Sequence, residues 1–357
     1  MTFAVQENVP LAGLTTIKIG GAARFFVRAG NETDVVKALE FAEQNDLKIF
    51  VLGGGSNVLI ADEGFDGLVL QIALKGVSVA REKGDIVRIT GGAGEDWEKF
   101  VALCVERNLQ GVECLSGIPG TVGGTPVQNV GAYGQEVAET IVAVRCFDRR
   151  AKEFVDLSNG QCGFAYRTSI FNTTDKNRCI VLAVTFALRK NAFPKIVYRD
   201  LQNFFGEKQP SLAETRQAVL EIRRAKSMVI DEKDINSRSV GSFFKNPITG
   251  KKQFAEIEAR ARQSKIIAAT ENLPSYIVDE NNLKIPAAWL IEKSGFGKNF
   301  KFGRVGLSAN HTLAIVNLGK ATARDVLALK DEIQKKVKEK FGVELKPEPI
   351  FVGFENS

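Results

Sequence analysis

Apolar side chains recur along this chain at two periods, and together the two describe an α+β protein. Helical spacing places Val36, Leu39 and Ala42 on one face of a segment that Asn31 or Thr33 can cap and Asn45 ends. The same spacing returns over 96–107, where Trp97, Phe100, Val101 and Cys104 mark the stripe that turns inward, over 212–225, and near 254–263 and 287–293. In the longest run Thr322 and Asp325 have capping-box spacing. Val326, Leu329, Ile333, Val337 and Phe341 then follow on one side, and Gly342 stops the helix. Strand-like runs rich in β-branched and aromatic residues lie between the helices. They cover 15–27 around a Gly20-Gly21 break, 49–52, 67–72, 86–90, 141–148, 153–157, 179–188 and 312–316.

Polarity rises over 189–210, where prolines return around Tyr198, and again over 231–239. A domain boundary is expected at the start of the second rise. The division is then a first region of two α+β subdomains, 1–230, and a smaller α+β domain, 231–344, with 345–357 returning to the first region.

Two stretches break both periods. Leu115 to Gly134, LSGIPGTVGGTPVQNVGAYG, holds six glycines and two prolines in twenty residues with almost no charge. Gly53-Gly54-Gly55-Ser56-Asn57 has the same character directly after the apolar run 49–52. Glycine lets main-chain N–H groups approach a ligand closely, and successive N–H groups in tight turns cradle anions. Two such loops point to a ligand with a long phosphate-bearing body, although glycine-rich turns also arise where hairpins and bulges need positive φ. Elsewhere, Arg167 sits among apolar neighbours in FAYRTSIF, a costly place unless it meets an anion or a carboxylate. Arg223 and Arg224 end a helix, where the dipole stabilises cations with or without a ligand. Glu348 stands between Pro347 and Pro349, whose fixed φ defines its direction.

Composition narrows the chemistry. With 357 residues, 44% hydrophobic and 25% charged, the chain is long enough for two or three domains and ordinary for a globular protein. No long apolar run or basic-then-apolar leader is present, so a cytoplasmic protein without membrane insertion is expected. Five scattered cysteines without a CxxC argue against a disulfide framework and a zinc site, and reduced, buried thiols are expected. A formal charge of +6 suits an anionic small molecule, and the basic residues form no aromatic-interleaved tract of the kind that binds nucleic acid. His311 is the only histidine, which nearly excludes histidine pairs, His/Cys metal clusters and a Ser-His-Asp triad.

The segments TTIKIGGAARFFV, VLGGGSNVLIAD, LSGIPGTVGGTPVQNVGAYG, YRTSIF, GSFFKNP, IPAAWLIE and LKPEP occur in that order over nearly the whole chain. With them the chain resembles the UDP-N-acetylenolpyruvoylglucosamine reductase (MurB) family, in its tyrosine-loop type. The resemblance implies an FAD-binding α+β domain of the vanillyl-alcohol-oxidase (PCMH) type followed by a smaller α+β substrate-binding domain. It assigns non-covalent FAD to Gly53, Gly54, Gly55, Ser56 and Asn57, and to Ser116, Gly117, Ile118, Pro119, Gly120, Gly123, Gly124, Gln128 and Asn129. It also implies a reaction of peptidoglycan precursor synthesis, in which NADPH reduces the flavin and UDP-N-acetylglucosamine enolpyruvate is reduced to UDP-N-acetylmuramate.

By the same match Arg167 is the catalytic arginine, Ser242 the general acid, and Glu348 the residue that steadies the enolate-like intermediate, best if protonated in a desolvated site. A serine is a poor acid alone, so positive charge is expected near Ser242. Tyr166, Tyr198, Lys226 and Asn246 are expected on the UDP-sugar, with lysine and tyrosine toward the diphosphate. Many relatives carry a basic residue two places after the glutamate, and this chain has Ile350. A monomer is expected. Two rivals share the fold: another flavin oxidase, against which GSFFKNP with LKPEP weighs, and a non-catalytic nucleotide-sugar sensor, against which the intact Arg167, Ser242 and Glu348 weigh.

Overall fold

A computed structural model describes residues 3–81, 84–268 and 270–354. The chain forms two compact units that interleave in sequence. The first contains Ala22–Gly55 and Phe65–Val229 together with Met1–Val9; the second contains Pro10–Gly21, Ser56–Gly64 and Ile230–Ser357.

In the first unit, helix Glu32–Gln44 starts where the Asn31 side chain accepts a bond from Asp34 N–H at 2.9 Å. Its most buried face is Val35, Ala38 and Ala42; Ala42 is as expected, while Val36 and Leu39 flank the face and are partly buried. Small Ala38 and Ala42 let the helix lie close to a sheet ordered Gln6–Pro10, Ala22–Ala29, Phe65–Ile72, Ile49–Leu52, in which the last three strands run parallel. A second, antiparallel sheet follows the order Glu153–Ser158, Ile141–Asp148, Cys179–Lys190, Ile86–Gly92, Val77–Arg81, with Leu109–Gln110 pairing beside it. Against it lies helix Trp97–Glu106, capped by Asp96. Trp97, Phe100 and Phe186 meet with ring centroids 5.2–5.8 Å apart, and burying rings of this size is worth about 2–3 kcal/mol each. The Trp97 indole N–H donates to Leu115 O at 3.1 Å, tying the start of the long glycine stretch to the core.

In the second unit, helix Ala323–Phe341 opens on the reciprocal Thr322–Asp325 box and ends at Gly342 with φ +71°. Val326, Leu329, Ile333, Val337 and Phe341 are all buried in a core with Ile17, Ile19 and Leu59. Around it stand helices Lys251–Gln263 and Ala287–Lys293, two three-stranded antiparallel sheets, and the parallel pair Ile350–Val352 with Val58–Ile60.

The bounds of these units differ from the expected 1–230 and 231–344: the second takes in 10–21 and 56–64 besides the residues from 230 onward, and the tail pairs with Val58–Ile60, inside the expected first region. Residues 355–357 of that tail lie outside the described residues. All five cysteines are free thiols, four of them buried, and burial pushes Cys104 up to about 12. Among the described residues no helix is long and apolar enough to cross a membrane.

Candidate active site

The two glycine stretches meet in the first unit. Strand Ile49–Leu52 delivers Gly53, and a Cβ built on Gly54 would stand 2.6 Å from Gly120 Cα, so the loops touch main chain to main chain. Gly55 (φ +66°) and Gly120 (φ +132°) take backbone conformations that side-chained residues rarely adopt. Gly123 serves the fold, since a Cβ there would lie 2.4 Å from Ala93 Cβ. Gly124 is exposed, with Thr121 Oγ1 3.9 Å from its Cβ position. Gly117 packs on helix Leu212–Ala225, and its N–H donates to the Glu98 carboxylate. Ile118, Pro119 and Gln128 are half-buried along the same stretch. One continuous backbone surface with positive-φ glycines on both sides fits a pyrophosphate, and so fits FAD.

Some expected cofactor side chains turn out to be engaged within the protein. Buried Ser116 Oγ donates to Glu113 O at 2.7 Å. Asn129, 1% exposed at φ +43°, donates through Nδ2 to Glu136 (2.7 Å) and to Ala165 O (3.1 Å), and its Oδ1 accepts from Ala138 N–H. Asn129 thereby clamps the turn that carries the arginine, which Ala165 and Thr168 close by exchanging backbone bonds of 2.9 and 3.0 Å. Within that turn Arg167 sits at φ +53°, its guanidinium 5.7 Å from the Tyr166 ring centroid and its Nη2 donating to Gly131 O at 2.9 Å.

Tyr198 and Lys226 come together around Tyr133. The two tyrosine rings meet edge to face at 5.4 Å, and Lys226 Nζ lies 5.9 Å from the Tyr133 centroid. Lys226 also donates to Asp200 Oδ2 at 2.7 Å, within helix Arg199–Phe205, which the sequence reading did not anticipate. Burial raises the Tyr133 phenol, opposed by the buried Arg223 beside it. Arg223 Nη2 donates to Met228 O, so this cation holds the chain beyond its own helix. Tyr133 and Asp200 were missed. The available signal for Tyr133 was its place in the glycine stretch, as one of only four tyrosines.

The second unit holds Ser56, Asn57, Ser242, Asn246 and Glu348. The GSFFKNP and LKPEP segments run antiparallel: Phe244 bridges Pro347, Glu348 N–H donates to Phe243 O (2.9 Å) and Lys245 N–H to Lys346 O (3.0 Å). Ser242 and Glu348 therefore stand on adjacent, cross-bonded segments, both half-buried. Ile350 N–H donates to Asn57 O at 3.0 Å, which fixes the first glycine loop's asparagine beside the glutamate segment. Ser56 is half-buried next to it. Asn246 Oδ1 accepts from Ala287 N–H at 2.9 Å, the first residue of helix Ala287–Lys293, so its carbonyl oxygen serves the helix. Ser242 Oγ lies 3.1 Å from Nε2 of His311, a partner that nothing in the sequence pointed to.

Comparison with known proteins gives these features a family. A model described as an FAD binding domain matches residues 23–155, and one described as the C-terminal domain of UDP-N-acetylenolpyruvoylglucosamine reductase matches residues 233–352. A UDP-N-acetylenolpyruvoylglucosamine reductase of Thermobifida fusca is 42% identical over 357 residues, covering 99% of each chain. One from Mycolicibacterium smegmatis is 39% identical, covering 98% of this chain and 96% of its own. The crystal structure of the Thermus caldophilus reductase superposes with a TM-score of 0.65 at 24% identity, over 98% of this chain and 100% of that one. The fold is thus an FAD-binding α+β domain with a smaller α+β domain, the C-terminal domain of the reductases. The chain belongs to the UDP-N-acetylenolpyruvoylglucosamine reductase (MurB) family of FAD-dependent oxidoreductases.

Proposed function

We propose that this protein reduces UDP-N-acetylglucosamine enolpyruvate to UDP-N-acetylmuramate with NADPH, as a step of peptidoglycan precursor synthesis. The observation that carries the reading is the pairing of the Ser242 and Glu348 segments, which brings a hydroxyl-bearing and a carboxyl-bearing segment together on cross-bonded main chain. When bound, FAD supplies the hydride chemistry between NADPH and the enolpyruvyl terminal carbon, and Gly53, Gly54, Gly55, Gly120 and Gly124 are the main chain that would hold it.

The chain's own residues supply the rest. Arg167 pairs with the enolpyruvyl carboxylate, a fit for its planar fork, and disperses the charge that builds on the neighbouring carbon. Ser242 delivers the proton to that carbon. Glu348 steadies the enolate-like species through its carboxyl group. Lys226 and Tyr198 take the diphosphate, with Tyr166 and Asn246 on the sugar nucleotide.

Anaerobic rapid mixing tests the assignment. NADPH consumption should depend on UDP-N-acetylglucosamine enolpyruvate, and Ser242→Ala should reduce its flavin with NADPH yet reoxidise it with substrate about 10²–10⁴-fold more slowly. An alanine variant that reoxidises at the unaltered rate removes Ser242 from the role of acid.

A further inference from the structure

The contact between Ser242 Oγ and His311 Nε2, at 3.1 Å, joins the expected acid to the one histidine of the chain. It is built into the main chain. Phe243 N–H, next to the serine, donates to Leu313 O at 2.8 Å, so the serine segment and the histidine turn are bonded twice within a few residues. The turn is itself closed by Ser308 N–H to Ala314 O (2.9 Å) and Ala314 N–H to His311 O (3.0 Å), and Thr312 Oγ1 donates to Glu292 of helix Ala287–Lys293. Both side chains are half-buried, so the pair keeps access to solvent protons.

The direction of this hydrogen bond decides what the serine can do. If Nε2 accepts, the hydroxyl proton points at the imidazole and away from any substrate. If Nε2 carries a proton and donates, the hydroxyl proton is free to point elsewhere and the oxygen is stabilised as its proton leaves. A lone serine gives up a proton poorly; one backed by an imidazolium does not face that limit.

We infer that His311 is the positioning and proton-resupply residue of Ser242: as an imidazolium it donates Nε2–H to Ser242 Oγ, orients the hydroxyl proton toward substrate, and refills the oxygen after transfer. The inference rests on the function proposed above. In the step, the electron pair on the substrate carbon takes the serine proton, so a C–H bond forms as O–H breaks. The Nε2 proton then moves to the serine oxygen, and the neutral imidazole recovers a proton from water. One solvent proton is consumed and no electron moves in this part of the reaction. Among the described residues, the charged groups on segments packed against the 308–314 turn include Glu292, bonded to Thr312; Lys245 and Glu348, on the paired segments beside Ser242; Asp234, in the turn that Asn236 ties to Ala309 N–H; and Lys298 and Lys301, on the segment whose Asn299 N–H donates to Ser308 O. Because the protonated imidazole is the competent form, proton delivery weakens as pH rises through its titration.

The untagged FAD holoenzyme serves for the test. Its flavin is reduced with NADPH without oxygen and then mixed with UDP-N-acetylglucosamine enolpyruvate across a pH series, with reoxidation read from flavin absorbance. A single histidine gives a single titrating Hε1 resonance, so His311 is followed directly by NMR in the same protein. The expected result is a decline of the reoxidation rate toward high pH whose midpoint coincides with that resonance. His311→Gln, whose amide can still hydrogen-bond the serine, should lose the decline and react about 10²-fold more slowly. A Gln variant with an unaltered profile and rate within about threefold overturns the inference and leaves a merely orienting bond. Should that variant fail to keep its FAD, the unaltered enzyme decides alone, because midpoints that do not coincide overturn the inference. Failure of the unaltered reduced enzyme to be reoxidised by this substrate overturns the function itself.

Discussion

Arg167 holds a left-handed backbone conformation, φ +53°, that a long side chain enters only where its neighbours hold it there. The Asn129 and Thr168 bonds do the holding, so the guanidinium direction is set before any ligand arrives. Arg167→Lys keeps the charge but loses the fork, and substrate reduction should slow about 10²–10³-fold with little change in bound FAD, read by single-turnover kinetics and flavin content. At Lys226 the structure adds a competitor, since Asp200 occupies the ammonium group proposed for the diphosphate. Asp200→Asn should therefore lower the KM for the UDP-sugar about two- to fivefold, and a raised KM would mean that the pair holds the tyrosine segment in place instead. The apolar setting of Arg167 could be read from neighbouring letters. Asp200 could not, because nothing near residue 226 in sequence points to it.

At the scale of elements, what was legible was whatever is decided locally. Helix Leu212–Ala225, with its Ser211–Glu214 box, helix Ala287–Lys293 and strand Ile141–Asp148 have the bounds expected from caps and periodicity. Helix Arg199–Phe205 was not legible: Tyr198 precedes it with no side-chain cap, and Leu201 is its buried residue. The strand expected at 312–316 begins at Ile315 because 308–314 is spent on the histidine turn. For the glycine loops, Gly54→Ala would drive a methyl group into Gly120 and part the two loops. It should lower both bound FAD and the melting temperature, whereas Gly124→Ala, with open space around it, should leave the melting temperature within about 1–2 °C. At the end of strand Ile141–Asp148, the Arg178 guanidinium and the Arg150 and Ala151 amides hold the Asp148 carboxyl down to about 2. A depressed carboxyl contributes stability above its ordinary value near 3.8 and loses it as pH falls toward 2. Asp148→Asn should then melt lower than the unaltered protein at all pH values above about 4, with the gap narrowing only below that.

For the whole molecule, periodicity gave the α+β class but not the threading of the units. The Gly20-Gly21 break was visible as a break, and it is where the chain leaves the second unit before Ala22. That 10–21 and 56–64 belong with the residues after 230 depends on packing across hundreds of positions, through Ile17, Ile19 and Leu59 in the second core. A fragment covering 230–357 alone should lack cooperative unfolding and dispersed amide resonances, because its strand Ile350–Val352 has lost Val58–Ile60. A well-dispersed spectrum from that fragment would count against the interleaving. The same threading governs how the polypeptide is born. On a ribosome adding about 5–20 residues per second, Leu59 and Ile60 are incorporated about 15–60 s before Ile350 is made, so a nascent chain holds these apolar side chains without their strand partner for that long, exposed to aggregation.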